Sequence, residues 1–141
     1  MWRNMSGSMT RRGVLTGAAA IAGVSALPYF PSAHPTDHSV IGHVVVDERL
    51  SDSATFAAGI PGSRIHAVSA LDDLCNRWYT SLRRQVLADA TAIAGRTSWM
   101  DYVVMRSCAA EIGYRGSFYA EHRSAAAQLR AVTWIFTPHS L

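Results

Sequence analysis

The chain has 141 residues, with 13 arginines and no lysine against 10 acidic residues, for a formal charge of +3. Three of those arginines lie in the first 26 residues, so the remainder balances at ten against ten. That balance excludes a broad basic surface for nucleic acid.

In chain order, Arg3, Arg11 and Arg12 precede an uncharged, Ala/Gly-rich run from Gly13 to Ala26. A positive start, a modestly apolar middle and small residues before a cleavage point make an export signal. Val24-Ser25-Ala26 places cleavage after Ala26. Ser32-Ala33 is the weaker alternative, because Pro31 stands where a small residue is needed, and Met9 is an alternative start. A permanent span needs ~20 apolar residues, whereas this run is broken by Gly17 and Gly23 and followed by Pro28. Thr10-Arg11-Arg12-Gly13-Val14-Leu15 resembles the twin-arginine pattern Ser/Thr-Arg-Arg-x-apolar-Leu, with Val14 where Phe is commonest and Thr16 where Lys is common. The resemblance implies a receptor-read address rather than an anchor. It also implies the twin-arginine translocase as a partner, a periplasmic or secreted destination, and a body that folds before it crosses.

Residues 27–38, with Pro28, Pro31 and Pro35, read as a linker, and residues 39–141 as one small domain. Val40 to Asp47 is a β-branched run and predicts a buried strand. Ser51 or Asp52 caps a short helix through Phe56 and Ala58, ended by Gly59-Ile60-Pro61-Gly62, and Arg64 to Ser69 is a second strand. Leu71, Leu74, Cys75, Trp78, Tyr79, Leu82 and Val86 share one helical face, behind Asp72 or Asp73 in the first turn. Thr91 to Ala94 is a short third strand, and Gly95-Arg96-Thr97 turns into a helix that opens with a capping box, Ser98-Trp99-Met100-Asp101. That helix stops at Gly113. Tyr114 to Glu121 is a fourth strand, Ala125 to Leu129 is helix-like, and Val132 to Phe136 is an edge strand or packing arm.

The alternation predicts an α/β domain: a small three-layer sandwich on a mostly parallel four- to five-stranded sheet, Rossmann-like or flavodoxin-like, with strand order 2-1-3-4. Cys75 and Cys108 then lie on neighbouring helices, where either a disulfide or two core thiols would fit. Ligands bind such sheets at the carboxyl ends of the strands. There Asp47, Arg49, Arg96, Thr97 and Ser98 would surround a crevice, with Glu121 and His122 one strand further out. Gly95 would let a ligand approach the backbone and the N–H groups after Ser98 would hold an anion; alternatively the same residues only start a capped helix. Trp99 would stack on a ligand or pack under the helix start.

Ser98, His122 and Asp47 are the residue types of a nucleophilic triad, yet Ser98 is committed to capping and no Gly-x-Ser-x-Gly elbow is present. No cofactor motif appears: both glycine-rich phosphate loops are missing. No metal is expected either, since the six histidines show no clustered spacing, and His43 and His66 read as half-buried strand residues rather than ligands.

Asp47-Glu48-Arg49, the Phe56 helix, Ile93-Ala94-Gly95-Arg96-Thr97 and Glu121-His122 make residues 44–122 resemble small uncharacterised bacterial proteins exported by the twin-arginine route. That resemblance implies a compartment and no chemistry. The expectation is an exported accessory or ligand-binding module, travelling with a partner protein. The alternative is a small hydrolase-like enzyme working at the carboxyl-end crevice.

Overall fold

A computed structural model describes residues 40–123 and 129–139. The chain separates into two units, Met1–Asp37 and His38–Leu141, and every described residue belongs to the second. The export signal with Arg11 and Arg12, the linker and most of the helix expected at 125–129 lie outside the described residues.

The strands are β1 (Ile41–Asp47), β2 (Arg64–Val68), β3 (Ala92–Ser98), β4 (Tyr114–Arg123) and β5 (Arg130–Pro138). The helices are α1 (Ser53–Ala58), α2 (Leu74–Arg77), which runs through a π-helical turn (Trp78–Leu82) into α3 (Arg83–Asp89), and α4 (Trp99–Glu111). The sheet order is β2-β1-β3-β5-β4. β1 pairs in parallel with β2 and β3, while β5 pairs antiparallel with both β3 and β4. The domain is therefore α/β on a mixed sheet, and the expectation of a mostly parallel one is corrected. So is the order 2-1-3-4, because β5 occupies the place beside β3. The segment expected at an edge is the most apolar in this half of the chain: Ala131 to Phe136 is buried throughout. Such a run is stable only with a paired strand on either side.

The helical face expected from Leu71 narrows to Leu74, Trp78, Leu82 and Val86, all buried, while Leu71 is 98% exposed and Tyr79 54%. Asp73, not Asp72, caps α2, accepting from the Asn76 backbone N–H. A π turn advances less per residue than an α turn, so side chains four apart stay in line across it. They pack with Val45, Ile93, Met105, Trp134 and Phe136 in one core. Cys75 and Cys108 are thiols on neighbouring helices, Cys75 exposed on α2 and Cys108 buried on α4, close enough that Cys75 acts on the Cys108 thiol. Burial is the main reason the Cys108 thiol is pushed up to about 11.

β3 is longer than expected. Gly95, Arg96 and Thr97 are buried strand residues, not a loop. A Cβ at Gly95 would overlap the indole of Trp134, so this glycine makes room for a core side chain rather than for a ligand.

Candidate functional site

Side chains alternate across a strand, and that parity sorts the expected site residues into two groups. Asp47 shares the face of Val45, the side on which α2, α3 and α4 pack. Its carboxylate is fully buried and gripped by the Arg49 guanidinium, Nε to Oδ1 at 2.9 Å and Nη2 to Oδ2 at 2.5 Å. The Arg49 backbone N–H donates to the same Oδ1 at 2.9 Å. Arg49 also faces a second carboxylate, with Nη2 3.6 Å from Asp101 Oδ2.

Asp101 stands in the first turn of α4, where Ser98 is the N-cap and accepts from the Asp101 backbone N–H at 3.2 Å. Burial raises the Asp101 carboxyl above its ordinary value and nearby Asp47 adds to this; the Ser98 contact and Arg49 pull the other way. At the carboxyl ends of β1 and β3, Asp101 thus stands between Arg49, which grips Asp47, and Ser98, which caps its turn. In the sequence Asp101 shows only as a capping-box residue. The anion expected at this helix start meets a different chemistry: a carboxylate already occupies the turn and the Ser98 hydroxyl serves one of its N–H groups.

Arg96 and His122 lie on the other face. Arg96, 6% exposed, donates from Nη2 to Asp52 Oδ2 and from Nη1 to Thr133 Oγ1, both at 2.9 Å. Asp52 precedes α1, which places α1 on this face. His122 sits opposite Ala131 in the β4–β5 ladder, and burial, helped by Arg96, lowers its pKa. Ser98, His122 and Asp47 therefore cannot form a triad, because the sheet separates His122 from Asp47. Thr97 is used within the protein, accepting from Trp134 Nε1 and donating to the Ser98 carbonyl, each at 3.0 Å. Glu121 is exposed on β4 and takes Arg130 and the Tyr119 hydroxyl. Trp99 carries the Arg130 guanidinium over its ring at 4.9 Å, a cation–π contact in the position suggested for a ligand.

A third group lies near the amino end of β1. The parallel register aligns Val45 with His66, so His43 and His66 fall on one face. His43 Nδ1 and His66 Nε2 are hydrogen-bonded at 3.1 Å. His43 Nε2 stands 2.9 Å from Asp89 Oδ2, at the end of α3, without hydrogen-bond alignment. Burial lowers both imidazoles. His66 falls to about 4, with His43, Arg77 and Arg64 contributing, while Asp89 partly restores His43.

Both imidazoles lie below the ordinary histidine value of 6.5 in the folded state, so the unfolded chain binds more protons as the pH falls below 6.5. Stability is accordingly full above that value and is lost as the pH drops towards about 4, by up to ~3 kcal/mol for His66. Urea midpoints at neutral and acid pH should show this loss, and His66→Gln should flatten it. An equal acid loss in the variant would assign the effect to other groups.

Among the described residues, no helix is long and apolar enough to cross a membrane. The chain matches no protein-family model, no curated protein and no solved structure.

Proposed function

We propose that this chain is exported by the twin-arginine route and acts outside the cytoplasm as an accessory binding module. Its cluster of Asp47, Arg49 and Asp101 receives a cationic group of a co-exported partner. The observation that carries this reading is the single guanidinium held between two carboxylates at the carboxyl ends of β1 and β3. The cluster has one more negative than positive charge. One carboxylate is locked by Arg49 at hydrogen-bond distance, and the other stands further off, at 3.6 Å, with its side chain partly exposed. An arginine or lysine from a partner would pair with Asp101 in the manner Arg49 already shows, with the protein wall raising the strength of the contact. The opposed placement of Asp47 and His122 supports binding over hydrolysis.

The test is recovery of the exported protein with whatever accompanies it, from cells carrying either the natural chain or Asp101→Lys. A defined partner should co-purify with the natural chain, and its affinity should fall at least tenfold, ~1.4 kcal/mol, in the variant. Circular dichroism confirms that the variant is folded. A monodisperse monomer without a partner, or equal recovery in both arms, would overturn the proposal.

A further inference from the structure

His43 and His66 do more than satisfy each other. Their ring centroids are 5.4 Å apart with planes inclined at only 24°, and the facing nitrogens are 3.1 Å apart. The centroid distance is close to that hydrogen bond plus one ring radius at each end. The two imidazoles therefore point at each other in line, with one proton between them.

Among the described residues no group of three or more His, Cys, Asp or Glu side chains is placed to hold a metal ion. Two nitrogens facing along one axis suit a different class of ion. Divalent zinc wants four ligands, whereas monovalent d10 ions such as Cu(I) and Ag(I) accept two donors in a line, and imidazole is a good donor for copper. We infer that the His43–His66 pair is a linear two-coordinate site for a monovalent d10 metal ion, with Asp89 as the positioning residue behind His43.

The geometry supports this in three ways. At ~2 Å per metal–nitrogen bond, the nitrogens must stand ~4 Å apart, so the pair has to open by about 1 Å. His66 lies on β2, an outer strand of the sheet, which can yield on its free side. His43 is fully buried on β1 and serves as the fixed partner. Asp89 Oδ2 stands 2.9 Å from the outer nitrogen of His43, out of hydrogen-bond alignment as it is, and a turn of either side chain would let the carboxylate accept from that nitrogen, orient the ligating imidazole and increase its basicity.

The exchange balances without a redox step. The proton between the rings moves, by way of solvent, to the other nitrogen of its own imidazole. Each facing nitrogen then offers a lone pair, and the complex gains one positive charge. The Asp89 carboxylate offsets that charge against Arg64, 4.0 Å from Asp89, and Arg77, which is bound to the Ala67 carbonyl.

Ag(I), which does not change oxidation state here, is the probe. The full chain carries Cys75→Ser and Cys108→Ala so that thiols do not capture silver first. Nitrogen-15 spectra of the histidine side chains should show His43 and His66 changing together in one equivalent step. Affinity should drop at least tenfold in His66→Gln and ten- to a hundredfold in Asp89→Asn. If the double cysteine variant does not fold, the same step should follow thiol saturation in the natural chain. Silver that leaves the His43 and His66 signals unmoved, or binds His66→Gln equally well, would overturn the inference.

Discussion

Gly95→Ala is expected to destabilise the domain by ~3 kcal/mol or more, the upper end of what overpacking costs. The added methyl would overlap Cζ2 and Cε2 of Trp134. That indole cannot move aside: it is fully buried, donates to Thr97 Oγ1 at 3.0 Å, and packs on Phe136 with ring centroids 4.6 Å apart. Gly95 itself lies in a strand paired on both sides, with Val45 and Trp134 as its partners. Gly116→Ala is the control. A Cβ there would meet Phe136 at 3.8 Å, an ordinary contact, so its effect should stay within about 0.5 kcal/mol. Pairing Gly95→Ala with Trp134→Leu should recover part of the loss, because the two sites share one space. Urea denaturation of the four proteins checks all of this. Equal midpoints for Gly95→Ala and Gly116→Ala would mean that the sheet accommodates the methyl.

Replacing Arg11 and Arg12 together by lysine is expected to reduce export at least tenfold while leaving the domain intact. Lysine keeps the charge but loses the planar fork of donors, and a receptor-read address depends on that geometry. Fractionation with the chain tagged at its carboxyl end is the measurement, and the retained precursor should unfold at the same urea concentration as the exported protein. Gly95→Ala gives an independent check. If the route carries only a folded body, this variant should also be retained although its arginines are untouched. Unchanged export of the double-lysine chain would remove the twin-arginine reading, and the extracellular setting of the proposed function with it.

Much of the fold was legible locally. The β-branched run of β1, the cap at Ser98, the stop at Gly113 and the alternation of strands with helices are short-range signals. The structure keeps all four. The end of β1 at Asp47 was legible as well. What misled was distance along the chain. Gly95-Arg96-Thr97 has the composition of a loop, and only its pairing with Thr133 and Trp134, nearly forty residues later, makes it strand. The same pairing decides that Gly95 faces an indole.

The sequence alone determined the neutral charge of the body, the positions of most elements and one end of the candidate crevice, because these depend on neighbours within a few residues. The tertiary structure alone decided the place of β5 and the parity that turns Arg96 and His122 away from Asp47. It also decided the register that sets His43 against His66. Each of these follows from which strands pair and in what alignment, and a one-residue shift in that alignment would move every side chain of the strand to the opposite face.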